Sequence, residues 1–463
     1  MIVPPKPASR AGRFAFWRYV RAFRRDILSA NPERLYRAKM AELRIPFLHT
    51  FLVNDPALVR RVLHEAPQEF PKSPRMVAGL EPLLGQGVFL SNGTLWQRQR
   101  RIIDPAFEGG RLRDTYPAIL AAAQAAVARL AALAGQGPVD VEPEMSHATA
   151  DAIFRTLFSM PIEDATASAV YHSFRAYQAT QPLLNLAAFL PLPRWMPRFH
   201  RRSTLREAQR IRALTRSLVE GRRAAIARGD APDDLATKIM TTPDPLDGRH
   251  FDDGEMVDQV AVFFLAGHET SASALGWALY LLALDPDLQG ELAEEARCEL
   301  GAAPEFSAVS RLKRARDVFR EALRLYPPVP MMVRQAECPQ QFRGRAVPKG
   351  AQVVLSPWHL GRHQGLWTDA DAFCPARWQT PEGKAAARDG FLPFSAGPRV
   401  CPGAGFAMVE GPLMLALLAR AFVLVPVSGR APRPVAQLTV RAEGGIWLTL
   451  TPRVADSAFL PPE

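Results

Sequence analysis

The chain has 463 residues, of which 48% are hydrophobic, and a formal net charge of +11 at pH 7. This composition is typical of a folded soluble protein. Length alone favours two or three domains, but no Gly/Ser-rich linker or charge block divides the sequence. The positive charge favours an acidic partner or an anionic surface, and no nucleic-acid-binding motif accompanies it. We therefore predict no nucleic-acid partner.

Cysteine usage argues against a disulfide framework, a zinc site and a dithiol redox centre, because the cysteines are few and no CxxC pair occurs. A reducing, cytoplasmic location fits this pattern. The four cysteines are Cys298, Cys338, Cys374 and Cys401.

The N-terminal segment, residues 1–30, is basic and lacks a continuous apolar core. It is therefore predicted to be neither a signal peptide nor a transmembrane anchor. Phe14, Trp17, Val20 and Phe23 alternate with arginines, which leaves two readings open. The segment is either a basic amphipathic helix that touches a membrane surface, or a helix packed on the body of the protein.

Further along the chain, residues 45–52 read as a strand, and Asn54 or Asp55 can cap a helix that begins with Pro56. Helical periodicity then predicts helices over 112–135 and 203–228. The apolar stretch LLNLAAFLPLPRWMP between them is either a buried loop or an exposed apolar lip.

Residues 254–285 form the longest periodic segment, a predicted helix of roughly 45–50 Å. Its centre is apolar enough to raise a transmembrane alternative, but His268, Glu269 and Thr270 lie in it and would be costly in lipid. A helix buried in a large soluble core is the better interpretation. The later segments are a helix over 314–326, short strands over 341–357 with a turn at Lys349-Gly350, an irregular region over 359–390, a helix over 403–421 and a strand-rich tail.

Cys401 lies just before this last helix, where unpaired amides and the helix dipole favour a thiolate. Pro402 suits the first turn of the helix. The glycines that flank the cysteine would let the backbone approach something flat and bulky, and Arg399 offers a fork for a carboxylate. An isolated cysteine at a helix end is usually structural, so the neighbours decide: the pattern F-x-x-G-x-R-x-C-x-G is met by Phe394, Gly397, Arg399, Cys401 and Gly403.

Three further patterns accompany this loop. In AGHETS, Gly267 would let the long helix pass close to a ligand, and Glu269 beside Thr270 is a plausible proton relay. Glu321 and Arg324 are three residues apart and share a helical face. Trp96 and Arg100 are four residues apart and also share a helical face. Two single arginines complete the set, Arg377 in PARW and Arg334 after PPVPMMV.

These motifs, in this order from residue 95 to residue 405, resemble those of the cytochrome P-450 family. The resemblance implies a single domain over 1–463, a mainly α-helical prism with a small β-rich lobe, and haem b between them. It makes Cys401 the axial thiolate of the iron. Glu269 and Thr270 would supply protons to the oxygen chemistry, and His268 receives no role. The other implied assignments are Trp96, Arg100, Arg334 and Arg399 at the haem propionates, and Glu321, Arg324 and Arg377 as a structural brace for the cysteine loop.

The resemblance also implies a reaction: insertion of one atom of O2 into a C–H or C=C bond. Electrons from NAD(P)H would arrive through a separate ferredoxin or flavodoxin-type partner, since no reductase segment is present. The substrate would be lipophilic, such as a fatty acid, terpenoid or steroid, because the family-equivalent wall segments are mostly apolar. Those segments are Val77–Phe89, Phe263–Phe264, Val329–Met332 and Leu438–Thr439.

Two other classes stay open from the sequence. A peroxide-driven peroxygenase or fatty-acid decarboxylase would use the same thiolate, although the Glu269-Thr270 pair argues against it. A non-catalytic haem-binding or membrane protein is the second alternative.

Overall fold

The computed structural model describes residues 1–9, 26–45, 48–108, 110–180, 202–436 and 438–453. The predicted N-terminal amphipathic helix falls mostly outside these residues, and so does the apolar stretch that precedes residue 202. The described α-helices are α1 (Pro56–Arg60), α2 (Pro74–Leu84), α3 (Gly93–Ile103), α4 (Arg111–Leu133), α5 (Val141–Phe158), α6 (Ala165–Thr180), α7 (Arg202–Arg228), α8 (Leu235–Thr241), α9 (Asp253–Ala283), α10 (Pro286–Glu299), α11 (Phe306–Val309), α12 (Lys313–Leu325), α13 (Pro357–Leu360), α14 (Pro381–Gly390) and α15 (Ala404–Ala421).

Short turns join these helices. A π-helical turn, Arg61–Glu65, continues α1. Turns of 3-10 helix cover Glu33–Tyr36, Pro67–Glu69, Asp104–Ala106, Pro375–Gln379 and Gly397–Arg399.

The strands form small sheets beside the helices. A four-stranded sheet has the order β1-β2-β7-β4, a three-stranded sheet has the order β3-β11-β8, and the pairs β5/β6 and β9/β10 are antiparallel hairpins. The fold class predicted from the family motifs, mainly helical with a small β-rich lobe, is confirmed. The strands are β1 (Met40–Ile45), β2 (Leu48–Val53), β3 (Pro138–Asp140), β4 (Met332–Gln335), β5 (Gln340–Phe342), β6 (Arg345–Val347), β7 (Gln352–Leu355), β8 (Phe422–Pro426), β9 (Arg433–Ala436), β10 (Val440–Glu443) and β11 (Trp447–Pro452).

Helix α9 is the centre of the fold. It begins with a capping box, in which Asp252 accepts the amide of Glu255 and the Glu255 carboxylate accepts the amide of Asp252. Most of its side chains are buried, and it packs against α5, α7, α12 and α15. Trp277 stacks on Tyr326 with 3.9 Å between the ring centroids. A helix that is hydrophobic on every side must be covered by other elements, and α9 is. This agrees with the interpretation of the segment as a helix buried in a large core.

Two other helices, α4 and α15, are long and apolar enough to cross a membrane by length and composition alone. Helix α15 is mostly buried, and α4 packs against both α5 and α15. Core helices of soluble proteins meet the same test of length and composition, so these two segments do not by themselves indicate a membrane protein.

Two sequence predictions are corrected by the structure. The strand predicted over residues 45–52 is a hairpin, since β1 ends at Ile45 and β2 begins at Leu48. The region 359–390, predicted to be irregular, ends in helix α14. Its Thr380 hydroxyl accepts the amide of Gly383 at 3.0 Å, and Pro381 occupies the first helical position. The helix consists largely of charged residues and alanines, so its sequence shows no apolar periodicity. The capping threonine and the proline are the sequence signals that mark its start.

Candidate functional site

The Cys401 loop is shaped by its own backbone. The amide of Cys401 donates to the carbonyl of Phe394 at 2.9 Å, and the carbonyl of Cys401 accepts the amide of Ala404 at 3.3 Å. Gly397 has φ +67°, and a Cβ there would overlap the carbonyl of Leu63. Glycine is therefore required at 397 by its positive φ and by the π-helical turn against it.

The side chain of Cys401 is exposed, yet burial raises the pKa of its thiol. Both statements hold together only if the sulfur faces a space inside the protein. The amide of Gly403 and the positive charges of Arg100 and Lys72 act in the opposite direction and lower the pKa of the Cys401 thiol. A Cβ on Gly403 would lie 3.9 Å from the sulfur, at ordinary contact distance. The Cys401 sulfur thus faces an accessible space, and its neighbours stabilise the thiolate form of the cysteine.

A second accessible patch lies in the middle of α9. Ala266 is exposed and Thr270 is half-buried, although the residues around them in the helix are almost all buried. Helix α15, which follows Cys401, crosses α9 one residue beyond Thr270, where Ser271 Oγ donates to Glu410 Oε2 at 2.6 Å. The accessible stretch around Ala266 and Thr270 is therefore linked to the Cys401 loop through α15.

Gly267 lies where α9 packs closely on α5. A Cβ at 267 would overlap Ile153 of α5. The close packing of the two helices therefore requires glycine at this position.

Four basic side chains converge near Cys401. Arg334 on β4 is 4% exposed, and its guanidinium donates to the carbonyl of Val333 at 3.4 Å. Arg399 donates to the carbonyl of Ser91 at 3.2 Å. Burial lowers the pKa of both guanidiniums to about 10. Lys72, whose backbone bridges that of Arg334, is also buried. The fourth basic residue is Arg100.

These four charges repel one another. Burial and then the charges of Arg334, Arg399 and Arg100 lower the pKa of the Lys72 ammonium well below its usual range, while Cys401 acts to raise it. Among the described residues, the carboxylate paired with this cluster is Asp104, 2.7 Å from Arg100. Buried cations without counter-charges are costly. The donor set therefore fits a ligand with two carboxylates, which would be held close to the Cys401 sulfur.

Trp96 and Arg100 make separate contacts within the cation cluster. The guanidinium of Arg399 lies 4.2 Å from the centre of the Trp96 ring, so Trp96 orients this arginine by cation–π stacking. Arg100 donates to the carbonyl of Val400 at 2.7 Å in addition to its pairing with Asp104. Arg399 also donates to Asn92 Oδ1 at 2.9 Å. Of the three predicted arginines, Arg334 therefore keeps the most unused donor capacity.

Lys72 was not singled out in the sequence. Its ammonium donates to the carbonyl of Phe89 and lies 3.8 Å from the centre of the Phe89 ring. No spacing rule points to it, because it enters the cluster through the isolated bridge to Arg334. Its sequence neighbours, Pro71 and Ser73, form no motif that would have singled it out.

Glu269 and Thr270 are adjacent in sequence, but the structure does not bring their side chains together. Thr270 Oγ1 donates to the carbonyl of Ala266 at 2.5 Å, one turn back in α9. Glu269 is 5% exposed and accepts from Gln178 Nε2 at 2.7 Å, from Thr439 Oγ1 at 2.6 Å and from Arg441 Nη2 at 2.9 Å. The predicted relay is therefore not assembled in this conformation.

His268 is held by contacts with α5 and with a neighbouring aromatic ring. Its Nε2 lies 2.8 Å from Ser146 Oγ, its ring stacks on that of Phe264, and its carbonyl accepts from Thr149 Oγ1 at 2.9 Å. Burial lowers the pKa of the imidazole to about 3, so it is neutral at pH 7. The residue joins α9 to α5, which is a role that the sequence did not reveal.

Glu321 is the centre of the predicted brace. Its carboxylate is fully buried and bonded by Arg324 and Arg377, by Trp378 Nε1 at 3.1 Å and by the amide of Cys374 at 3.0 Å. Arg324 also donates to carbonyls between residues 361 and 372. The set therefore fastens the 361–378 segment to α12. It reaches the segment before Cys401 through Trp378, whose ring lies 4.7 Å from that of Phe391.

Part of the predicted substrate wall belongs to the core. Phe264 is 2% exposed and packs against Phe154 and Phe174, and the Thr439 hydroxyl is occupied by Glu269. The remaining wall positions with partly buried side chains are Val77, Pro82, Phe89, Val329, Met331, Met332 and Leu438.

Comparison with known proteins agrees with this geometry. The family model described as Cytochrome P450 matches residues 25–449. The chain belongs to the cytochrome P450 family. Cyclooctatin synthase of Streptomyces melanosporofaciens is 32% identical over 409 residues, covering 87% of this chain and 86% of the relative. Cyclooctat-9-en-7-ol 5-monooxygenase of the same organism is 32% identical, covering 84% and 83%. Cytochrome P450 CYP72A616 of Paris polyphylla is 30% identical, covering 86% and 78%.

The family and the monooxygenase among these relatives make this cytochrome P450 a monooxygenase. The non-catalytic alternative is thereby overturned. Membership also implies a haem-thiolate cofactor, and the cation cluster beside an accessible cysteine is a donor set that suits it.

Proposed function

We propose that this cytochrome P450 holds haem b through Cys401 and inserts one oxygen atom from O2 into a lipophilic substrate. The observation that carries the proposal is the accessible Cys401 sulfur beside four buried or half-buried cations with a single paired acid. Haem b carries two propionates, which would neutralise the excess positive charge. In the family, the bound haem supplies the activation of dioxygen.

The protein's own groups would then have separate tasks. Cys401 supplies the sulfur ligand, with the Gly403 amide and nearby cations favouring its thiolate form. Arg334, Arg399 and Lys72 bind the propionates, and Trp96 keeps Arg399 in place. Thr270, on the accessible face of α9, is positioned to hold a proton-bearing hydroxyl in the reaction space.

The first experiment tests the thiolate. The reduced wild-type protein exposed to carbon monoxide should show the absorbance typical of thiolate ligation, and Cys401→Ala should lose it. Cys374→Ala is the matched control, because Cys374 is also exposed but lies outside the cation cluster. Retention of the thiolate spectrum by Cys401→Ala would overturn the assignment.

The proposed substrate is an apolar or weakly polar molecule of the terpenoid, steroid or fatty-acid class. Support comes from the accessible wall, which is formed by aliphatic, aromatic and methionine side chains. The name of one relative, a 5-monooxygenase of an unsaturated alcohol, points in the same direction. A library of such molecules, screened for the spectral shift caused by loss of iron-bound water, tests this class; binding of polar charged molecules alone would contradict it.

The proposed electron donor is an acidic ferredoxin or flavodoxin-type protein in the cytoplasm. Exposed basic residues lie near the Cys401 loop in two places. Arg60 precedes the π-helical turn that packs against Gly397, and His64 lies within that turn. Arg111 and Arg113 flank Leu112, which contacts Gly405. Turnover with an acidic ferredoxin should fall as ionic strength rises. Independence from ionic strength would contradict electrostatic docking.

The peroxide-driven alternative makes a different prediction for Thr270. If electrons and O2 drive turnover, Thr270→Ala should consume NAD(P)H with less product formed, whereas peroxide-driven turnover should not depend on an electron donor. Fully coupled turnover by Thr270→Ala would remove this residue from the proposed role.

A further inference from the structure

Arg100 makes two charged or polar contacts that none of the other basic residues near Cys401 makes. Its Nε faces the carboxylate of Asp104, 2.7 Å from Oδ1 and 3.0 Å from Oδ2. Its Nη1 donates to the carbonyl of Val400 at 2.7 Å. The charge of Arg100 is therefore matched by an acid, and its guanidinium is attached to the backbone of the cysteine loop.

The carbonyl that Arg100 holds belongs to the peptide group just before Cys401. The amide of the same peptide group, that of Cys401, donates to the carbonyl of Phe394 at 2.9 Å. One edge of this peptide is thus bonded within the loop, and the other edge is bonded to α3. Because a peptide group is planar, the two bonds fix its orientation, and with it the direction in which the Cys401 side chain leaves the backbone.

Asp104 is itself held in place by the backbone around it. It follows Arg100 by four residues, a spacing at which two side chains share a helical face. Its amide caps α3 by donating to the carbonyl of Arg100, and its own carbonyl accepts the amide of Phe107 at 2.9 Å. Pro105 occupies the first position of the turn that follows. The carboxylate of Asp104 is therefore a fixed anchor for the guanidinium.

The same acid makes Arg100 a poor partner for a further carboxylate. A carboxylate that approached Arg100 would be repelled by the negative charge of Asp104. Arg334 has no acidic partner among the described residues, and Arg399 is bonded to a backbone carbonyl and to a neutral amide. A ligand with two carboxylates should therefore choose Arg334 and Arg399 before Arg100.

We propose that Asp104 is a positioning residue that holds Arg100 on the carbonyl of Val400, so that Arg100 orients the peptide before Cys401 and leaves the haem carboxylates to Arg334 and Arg399. The inference rests on the proposed function. Neutralising Asp104 should release Arg100 towards a carboxylate. Removing Arg100 should loosen the peptide before Cys401 while the carboxylates keep their partners.

Resonance Raman spectra of the haem-loaded protein give the first test, because the bending band of the haem carboxylates reports the hydrogen bonds made to them. Arg334→Met should shift this band, whereas Arg100→Met should leave it at the wild-type position. Asp104→Asn should shift the band, since Arg100 then gains a carboxylate partner. A shift in Arg100→Met as large as that in Arg334→Met would overturn the proposal, and so would an unshifted band in Asp104→Asn.

The double variant Asp104→Asn/Arg100→Met shows whether Asp104 acts through Arg100. The shift caused by Asp104→Asn alone should be absent in it. Asp104→Glu, which keeps the acid, should restore the wild-type band. If the shift persists without Arg100, Asp104 acts on the carboxylates by another route and the assigned role is wrong.

Asp244→Asn is the matched control. Asp244 lies 2.7 Å from Arg101, the neighbour of Arg100 on α3, and its side chain is 2% exposed. The variant frees an arginine of the same helix from a similar pair, so it should leave the carboxylate band in place. An equal shift in Asp244→Asn would point to a general effect on α3 and contradict the specific role of Asp104.

Haem retention gives a second readout. Haem transfer to apomyoglobin from Arg100→Met should stay within about threefold of the wild-type rate, whereas Arg334→Met should lose haem about tenfold faster or more, as expected for a lost bond to a charged group. Should Arg100→Met fail to fold, Arg100→Gln takes the same measurement. Equal losses at positions 100 and 334 would assign Arg100 to the carboxylates instead.

The carbon monoxide spectrum separates the two levels of failure. If the wild type shows thiolate ligation but Arg100→Met shifts the carboxylate band, only the role given to Asp104 and Arg100 is contradicted. Absence of the thiolate spectrum in the wild type would instead contradict the proposed haem site.

Discussion

Two fully buried glutamates in this protein have opposite surroundings. Glu321 on α12 accepts hydrogen bonds from two arginines, a tryptophan and a backbone amide. Glu410 on α15 accepts one hydrogen bond, from Ser271 Oγ, and its Oε1 has no partner among the described residues. Burial raises the pKa of Glu410 to about 8, so this carboxyl is protonated at pH 7. The difference teaches that equal burial leaves interior acids in different surroundings: charged donors offset the desolvation of Glu321, whereas Glu410 has a neutral donor.

The largest expected effect comes from breaking the set around Glu321. Glu321→Ala leaves Arg324 and Arg377 buried without their carboxylate and should lower the free energy of unfolding by about 3–5 kcal/mol. Urea denaturation measures it. Glu294→Ala is the control, because Glu294 forms a pair of the same i,i+3 spacing with Arg297 on the exposed surface. That variant should unfold at the wild-type urea concentration; equal losses in both would contradict the comparison.

Arg334 is the reverse of Glu410, because it is a buried cation with no acidic partner among the described residues. Arg334→Met should weaken haem retention by about 1.5–3 kcal/mol, the value of a hydrogen bond to a charged group. The haem-free protein should be no less stable than the haem-free wild type, because an unpaired buried charge has been removed. Haem transfer to apomyoglobin and urea denaturation of the apoprotein measure the two quantities. Parallel losses in both would show that Arg334 is needed for folding instead.

Glu410 should give the protein a distinctive dependence of stability on pH. Its pKa of about 8 in the folded state exceeds the ordinary glutamate value of 4.5, so the folded state holds an extra proton between these two pH values. Stability from this group is therefore complete below pH 4.5 and is lost as the pH rises towards 8, by up to about 1.4 kcal/mol per pH unit. Glu410→Gln, an uncharged isostere, should flatten the decline between pH 5 and pH 8, whereas exposed Glu382→Gln should not. An unchanged slope in Glu410→Gln would show that Glu410 is ionised.

The smallest expected effect is that of Ser271→Ala, which removes the one donor to Glu410. The cost should be about 1 kcal/mol at pH 7, that of a single neutral hydrogen bond. The pKa of Glu410 should rise further, since Ser271 acts to lower it. The matched variant is Ser273→Ala, which removes a hydroxyl from the same helix that donates to a backbone carbonyl. A shift of the pH profile in Ser273→Ala as well would argue against a specific effect of Ser271.

The elements that the sequence predicted well are those whose signals are local. Helix α9 begins at Asp253 and ends at Ala283, close to the predicted 254–285, because a capping box and a following proline mark its ends. The turn at Lys349-Gly350 is present, with Gly350 at φ +84°. Helix α14 was missed because its exposed, charged sequence lacks an apolar stripe.

The site shows the same division. Cys401, Arg399 and the Glu321–Arg324 pair follow from short motifs, in which residues close in sequence share one loop or one helical face. Lys72, Gln178 and Glu410 could not be found in this way. Each joins its partner across many residues of chain, and no short pattern records such a contact.

The sequence by itself determined the family, the helical core and the cysteine that is proposed to hold the haem, because those depend on motifs whose residues are neighbours along the chain. Only the tertiary structure decided which charges are neutralised and which are not. Glu269 reads as a partner of Thr270 in sequence, yet the packing of α6 and the β9/β10 hairpin gives it three other donors. Electrostatic partnerships depend on distance in space, and folding sets that distance.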